Sequence, residues 1–388
     1  MPALGALRGW PYGDRTLIEH IQAVLDAVCN DPLPFEAPGS RPVSWWSAMP
    51  ALYVAALFQH AGLPAAVSRR RGPTSCLVPH ARDSAVVARA ALREMGMDFA
   101  VREHAVGLLL HQNKPFSLPA AGAPAETYQR LSCCVDLHAV HALRAAEARA
   151  WRDNPADVAR LTTFRQTAEQ LGIFDSPHPP PLDADRVRSL GFLEPRELYR
   201  ALNALRYFEL DARMYEKEWC VERLRQESSM PRGRLHLLIG PAGTGKSHWA
   251  AEHLAHTQVI SSDQMRQELT GDPADQSQNY LVFQRCMDRV RALLHAGAEV
   301  TFDATNYSRA LRHRPVQAAR WSAAEIVSYF FDVGLKPALG RNAGRERIVP
   351  EPVIRRQHRL LEPPALYEAD RHVVVDERSE ARVYWPVD

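Results

Sequence analysis

Gly240-Pro-Ala-Gly-Thr-Gly-Lys-Ser247 decides the fold of the second half of this chain. The stretch has the spacing G-x-x-x-x-G-K-[ST], in which glycines let backbone N–H groups turn toward a phosphate. An apolar segment, residues 235–239, precedes it, and a helix-forming segment, residues 249–254, follows it. A helix that begins at such a turn adds partial positive charge. The sequence therefore predicts a nucleotide-binding loop between a strand and a helix.

Each position of this loop has an expected task. Lys246 is expected to reach the terminal phosphates of a nucleoside triphosphate, and Ser247 is expected to hold Mg2+. The backbone of the remaining positions is expected to surround the phosphates. The candidate nucleotide-binding residues of the loop are Gly240, Gly243, Thr244, Gly245, Lys246 and Ser247. A chance glycine-rich turn is the alternative, and the matched flanks argue against it.

The pattern after the loop alternates between strands and helices. Strands are predicted at residues 235–239, 259–261, 299–302 and 325–331, and helices at residues 246–254, 276–296 and 309–322. Such alternation predicts a mainly parallel sheet with right-handed crossovers. Ligands of these sheets bind at the carboxyl ends of the strands. The fold class predicted for this part is α/β.

The chain before the loop is predicted to be helical. Apolar residues recur at helical spacing at residues 17–28, 50–61, 84–95 and 131–151. A proline-rich run at residues 175–181 is typical of an extended connector, and more helix is predicted to about residue 224. Residues 227–233 are polar and turn-rich, and the strand–helix alternation starts directly after them. We therefore predict a helical domain at residues 1–226 and an α/β domain at residues 227–388.

Composition restricts the function classes only slightly. With 388 residues, 46% of them hydrophobic, the chain is long enough for two cores. Its formal net charge of +2 leaves any polyanion site to a local cluster of residues. The 6 cysteines show no C-x-x-C spacing, and no apolar run is long enough for a membrane span. We expect reduced thiols, a cytoplasmic location and no membrane partner.

Asp263 and Arg266 lie just after the second predicted strand. At that strand end a carboxylate can accept a proton from an attacking hydroxyl group, and an arginine can clamp a phosphate of the acceptor. The alternative is structural: Ser262 or Asp263 caps the N-terminus of the next helix. Both roles can coexist.

Two further groups follow the third and fourth predicted strands. Asp303 can hold Mg2+ or its water shell, or it can be a loop cap. Arg341 and Arg345 are four residues apart, and we expect them on one helix face. There they could close over the donor phosphates as a lid, whereas an arginine run elsewhere is usually a solvated face.

These motifs together resemble those of the 5'-hydroxyl polynucleotide kinases of nucleic-acid repair. The resemblance covers about residues 234–376. It implies that Asp263 is the general base, that Arg266 contacts the 3'-phosphate of the acceptor, and that Lys246, Ser247, Arg341 and Arg345 serve the nucleotide. The implied cofactors are ATP, GTP or another NTP, with Mg2+. The implied partners are the 5'-OH end of RNA or DNA and other nucleic-acid repair proteins.

The N-terminal part is similar to HD-type phosphohydrolase domains, which some bacterial proteins join to a polynucleotide kinase. His80, His111 and Glu147 lie in plausible ligand positions. However, Gln59-His60 stands where the family has His-Asp, and residues 43–47, where a first histidine is expected, contain none. The resemblance thus implies an inactive domain without its metal site, its histidines being ordinary surface or core residues. A single-metal site of His60, His80 and His111 is the alternative.

Two other functions remain open for the whole chain. A kinase of the same loop class could act on a small molecule in a closed pocket. An NTP-dependent binding or regulatory protein could use hydrolysis to drive contacts of the N-terminal part.

Overall fold

The computed structural model describes residues 2–5, 7–12, 15–30, 48–68, 80–151, 154–214, 216–273, 275–345 and 347–385. The chain divides into two compact units, Met1–His178 and Pro179–Asp388. The division falls in the proline-rich run, and not at residue 227 as the composition change suggested. The first unit is helical and the second contains a mainly parallel sheet, so the predicted fold class is confirmed at that level.

The first unit is a set of helices with one short antiparallel ribbon. Its elements are α1 (Pro2–Gly5), β1 (Pro11–Tyr12), β2 (Arg15–Thr16), α2 (Leu17–Asn30), α3 (Ala48–Phe58), α4 (Leu63–Ser68), α5 (Ala81–Glu94), α6 (Phe99–His111), α7 (Lys114–Ala120), α8 (Ala125–Ser132), α9 (Leu137–Ala150) and α10 (Pro155–Gln170). Helix α9 begins where the side chain of Asp136 accepts a hydrogen bond from the Ala139 amide. This N-cap satisfies a donor that the helix leaves free.

Helix α2 turns one apolar face inward, as its sequence spacing predicts. The buried residues of that face are Leu17, His20, Ile21, Val24 and Val28. Four of the five are aliphatic, and they pack with the helices around them. The fifth, His20, is fully buried among them.

The second unit starts with three helices and continues as the α/β part. Its elements are α11 (Ala184–Ser189), α12 (Pro195–Leu210), α13 (Lys217–Ser229), β3 (Arg234–Ile239), α14 (Lys246–His253), β4 (Gln258–Ser261), α15 (Ser262–Thr270), α16 (Asn279–His295), β5 (Glu299–Asp303), α17 (Arg309–Trp321), β6 (Glu325–Phe331), α18 (Leu335–Ala343), α19 (Glu351–Arg359), β7 (Arg371–Val375) and β8 (Ala381–Trp385).

The sheet of the second unit has the strand order β4-β5-β3-β6-β7-β8. All neighbours run parallel except β7 and β8, which form an antiparallel pair. Strand β3 is central, and its residues from Leu235 to Ile239 are buried, as both faces of a parallel sheet require. The strands that precede the candidate residues are therefore neighbours, and their carboxyl ends meet at one edge.

Buried charged side chains connect the two helices before the sheet, α12 and α13, to the α/β part. The Arg223 guanidinium donates to Glu227 and to the carbonyl oxygens of Arg320 and Trp321. Arg200 donates to Glu227 and to the carbonyl oxygen of Ala323. Glu227 is fully buried and α13 runs through it, so these helices and the sheet belong to the same compact unit.

Two buried arginines hold the segment between α19 and β7 in place. Arg312 donates to both carboxylate oxygens of Glu368 at 3.0 Å and to three backbone carbonyls. Burial would raise the pKa of Glu368, but the charge of Arg312 and its hydrogen bonds lower it. Arg320 makes a similar two-point contact with Asp370. Each carboxylate accepts two hydrogen bonds from its arginine, which offsets the cost of burying the two charges.

Within the described part of the chain, no helix is both long and apolar enough to cross a membrane. The side chains of Cys29, Cys133, Cys134, Cys220 and Cys286 are reduced thiols.

Candidate nucleotide and phosphoryl-transfer site

The predicted phosphate-binding loop connects β3 to α14. Gly243 has a φ of +81°, and a Cβ at this position would lie 2.2 Å from the carbonyl oxygen of Ala338 in α18. Gly245 has a φ of +92° and is the N-cap of α14. Only glycine fits these positions without strain, because side chains disfavour positive φ and no space remains beside Gly243. The two glycines thus place the loop against α18.

Lys246 is buried and points back across the loop. Its Nζ donates to the carbonyl oxygens of Gly240 at 2.8 Å and Pro241 at 2.7 Å. Burial lowers its pKa to about 8; the Asp303 and Asp263 carboxylates oppose this effect and Arg345 adds to it. The ammonium therefore lies within electrostatic reach of all three residues.

Ser247 and Asp303 meet at the first turn of α14. The Ser247 hydroxyl donates to Asp303 Oδ2 at 2.6 Å. Asp303 ends β5, which is the neighbour of β3 in the sheet. A hydroxyl and a carboxylate oxygen are hard ligands of the kind that Mg2+ prefers. The residues predicted to hold the metal ion are thus in contact, and their chemistry fits it.

Asp263 lies at the same edge of the sheet as Asp303. It lies two residues after Ser261, which is the register partner of Asp303. Its carboxylate is about half exposed and forms ion pairs with Arg266 and, at 3.2 Å, with Arg347. Arg266 itself is buried, and two of its nitrogens donate to Asn279 Oδ1 at 3.2 Å.

The helix cap near Asp263 differs from the expected one. The side chain of Ser261, and not that of Ser262 or Asp263, accepts the hydrogen bond from the backbone amide of Asp263. The Asp263 carboxylate is therefore not needed as the cap and is available to its arginine partners.

Arg341 lies beside the loop as expected. Its Nη1 donates to the Thr244 carbonyl at 3.1 Å and its Nη2 to the Glu377 carbonyl at 2.6 Å. Arg345, however, is not on the same helix face, because α18 ends at Ala343. The Asn342 side chain pairs with the Val349 backbone, and this contact closes the following segment as a loop.

Two residues near the site were not among the sequence candidates. Arg347 contacts Asp263, and its place in the arginine run was a signal for it. Gln357 in α19 accepts a hydrogen bond from the Ala242 amide at 2.7 Å. No local sequence pattern predicts that contact, because it depends on how α19 packs against the loop.

The first unit brings together several of its predicted candidates. His60 Nε2 lies 3.2 Å from Glu147 Oε1, and His60 Nδ1 lies 2.9 Å from His80 Nε2. His20 was not predicted as a site residue, and its Nε2 lies 3.1 Å from Glu147 Oε2. Among the described residues the possible ligand group consists of His20, His60 and Glu147, so His80 and His111 lie outside it. Residues 43–47, where a first histidine was expected, lie outside the described part, and the HD-type resemblance stays a prediction.

Comparison with known proteins identifies the second unit more closely. A family model described as an AAA domain matches residues 235–364. A solved sugar kinase from a Janibacter species aligns at 17% identity, covering 39% of this chain and 87% of that chain, with a TM-score of 0.29. A gluconokinase from Sinorhizobium meliloti aligns at 18% identity, covering 39% and 85%, with a TM-score of 0.28. No curated protein matches the chain. The family match and the loop make residues 235–364 a P-loop kinase-like domain.

Proposed function

We propose that this domain transfers the terminal phosphoryl group of a nucleoside triphosphate to the 5'-OH end of RNA or DNA. The observation that carries the proposal is Asp263, a half-exposed carboxylate between Arg266 and Arg347 at the strand edge that also bears the phosphate-binding loop. A carboxylate oriented by two cations can accept a proton from a hydroxyl group while the cations bind phosphate next to it.

The donor side of the site is formed by the loop and its neighbours. Lys246 turns from its carbonyl partners to the terminal phosphates, and Arg341 and Arg345 neutralise charge on the group in transit. Ser247 and Asp303 would hold Mg2+, directly or through its water shell, and the ion would supply positive charge beside the phosphates. ATP, GTP or another NTP fits this arrangement, because none of these contacts reads the base.

The transfer is an in-line displacement. The acceptor 5'-oxygen attacks the terminal phosphorus, the new O–P bond forms, and the bond from that phosphorus to the bridging oxygen breaks, releasing the nucleoside diphosphate. The hydroxyl proton passes to Asp263. Positioning and charge neutralisation supply most of the rate, so a small number of charged side chains is sufficient.

A surface beside Asp263 favours a nucleic-acid acceptor. Asn279, the partner of Arg266, begins α16, and the next residue, Tyr280, is 71% exposed. The Arg314 guanidinium lies over the Tyr280 ring at 5.3 Å. Exposed aromatic and guanidinium planes are the groups on which unpaired bases stack. We infer that Arg266 binds the phosphate after the first nucleotide and that Tyr280 stacks on a base.

The test is transfer of labelled terminal phosphate from ATP or GTP to 5'-OH RNA and DNA oligonucleotides with Mg2+. The wild type is expected to label these oligonucleotides measurably. Asp263→Asn is expected to reduce the transfer rate about a hundredfold or more. Asp288→Asn is the matched control, because Asp288 forms the same i,i+3 pair with Arg291 in an exposed position. NTP binding without transfer to any oligonucleotide would refute the proposal.

Tyr280 separates the polynucleotide acceptor from a small one. Tyr280→Ala is expected to raise KM for an oligonucleotide about tenfold or more, since stacking contributes about 1–3 kcal/mol per base. Tyr280→Phe keeps the ring and should leave KM unchanged. Efficient transfer to a sugar or nucleoside, with no effect of Tyr280→Ala, would instead identify a small-molecule kinase. Hydrolysis without any acceptor, persisting in Asp263→Ala, would identify an NTP-dependent regulatory protein.

A further inference from the structure

The first unit contains a buried group of three metal-ligating side chains that the kinase function does not use. His20 comes from α2, His60 from the turn after α3, and Glu147 from α9. All three are buried, and their ligand atoms lie within 4.8 Å of one another. We propose that these residues bind one divalent transition-metal ion of the zinc class.

The distances within the group fit a metal ion. His20 Nε2 lies 3.1 Å from Glu147 Oε2, and His60 Nε2 lies 3.2 Å from Glu147 Oε1. Zinc bonds of about 2.0–2.2 Å in a tetrahedron separate neighbouring ligand atoms by about 3.3–3.5 Å. Small side-chain adjustments therefore suffice to place the three ligands around one ion. Two imidazoles and a carboxylate leave a fourth position for water or a substrate oxygen, as in open zinc sites.

His20 provides an independent observation. It is 0% exposed, and neither of its ring nitrogens makes a hydrogen bond, although Nε2 is close to Glu147. A buried ring nitrogen without a well-formed hydrogen bond costs free energy, and ligation of a metal ion would recover part of that cost at Nε2. A metal ion bound to Nε2 satisfies that atom.

The surroundings hold the two imidazoles in place. His60 Nδ1 faces His80 Nε2 at 2.9 Å, which gives His60 the outer partner that metal-bound histidines usually have. The Tyr12 ring packs against His20 at 4.7 Å and against His60 at 4.9 Å. Ligand orientation is therefore fixed before any ion binds, and His80 acts as a positioning residue.

A second group of this kind, His236, His256 and Glu299, has an ordinary explanation. His256 is 63% exposed, and the Glu299 carboxylate is already paired with Arg234 at 2.9 Å. A carboxylate neutralised by arginine is a poor metal ligand, so we assign no ion to this group.

The first experiment uses the full-length wild type, stripped of metal and titrated with Co2+ while the visible spectrum is recorded. We expect one equivalent to give the intense absorption of a four-coordinate site with nitrogen and oxygen ligands, and Zn2+ to abolish it. No such absorption, or the sulfur-to-cobalt bands of a cysteine ligand, would overturn the proposal without any variant.

Variants then test the ligands by metal content after dialysis against Zn2+. His20→Gln and Glu147→Gln are each expected to reduce the content from about one ion per chain to nearly none, and His80→Ala to weaken binding about 10- to 100-fold. His138→Gln is the matched control, because His138 also contacts a carboxylate, Asp175 at 2.8 Å, but belongs to neither ligand group found among the described residues. Unchanged zinc content in His20→Gln and Glu147→Gln would refute the assignment. Phosphoryl transfer is not part of this readout, so the result stands independently of the kinase proposal.

Discussion

Nucleotide binding is expected to take up protons at alkaline pH because of Lys246. Burial holds the pKa of its amine at about 8, below its ordinary value. At about pH 8.5, roughly three quarters of these amines are neutral in the free protein, and at about pH 7 roughly a tenth. Bound phosphates favour the charged form, so the complex retains the proton. Uptake should rise from about 0.1 to about three quarters of a proton per nucleotide between these pH values, and affinity should fall as pH rises above 8.

Isothermal titration calorimetry in two buffers of different ionisation enthalpy measures this uptake directly. Lys246→Arg is the control, because a guanidinium keeps its charge at every accessible pH. The difference between wild type and Lys246→Arg removes protons that belong to the nucleotide itself. An uptake by the wild type that does not increase between pH 7 and 8.5 would show that the Lys246 amine is already charged in the free protein.

Three further predictions concern the same unit. Gly243→Ala should lower the midpoint of thermal unfolding and weaken nucleotide binding by about 1–3 kcal/mol, because the added Cβ meets the Ala338 carbonyl and φ is positive; unchanged binding would mean that the loop can move away. Asp303→Asn should raise the Mg2+ concentration needed for half-maximal transfer about tenfold while Mg2+-free nucleotide binding persists, and an unaltered Mg2+ titration would exclude Asp303 from the metal site. Glu368→Gln should cost roughly 3–5 kcal/mol in urea unfolding, since it leaves Arg312 buried without its counter-charge, and an unchanged midpoint would contradict that pairing.

The strand–loop–helix of the second unit could be predicted from the sequence because its signals are local. The spacing of Gly240 to Ser247 and the apolar strand before it specify the loop, and the strand alternation places Asp263 and Asp303 at one sheet edge. The end of α18 could not be predicted, because it depends on the Asn342 side chain closing onto Val349.

The histidine group of the first unit was only partly visible in the sequence. His60, His80 and Glu147 were predicted as candidates, whereas a further histidine was expected at residues 43–47. His20 had a signal of its own, since it occupies the buried face of an amphipathic helix otherwise occupied by aliphatic residues. Only the three-dimensional packing distinguishes His20 from an ordinary core histidine, because its partners His60 and Glu147 come from two distant segments.

The buried Glu227 also determines how the protein can be dissected genetically. A shortened gene product that starts at residue 227 would cut α13 in two and remove Arg200 and Arg223, so that Glu227 and the carbonyl oxygens of Arg320 and Trp321 lose their donors. It would also remove Phe208 and Trp219, whose rings contact Trp321 at the end of α17. Gene fragments meant to yield a stable second unit should therefore begin in the proline-rich run near Pro179, where that unit starts.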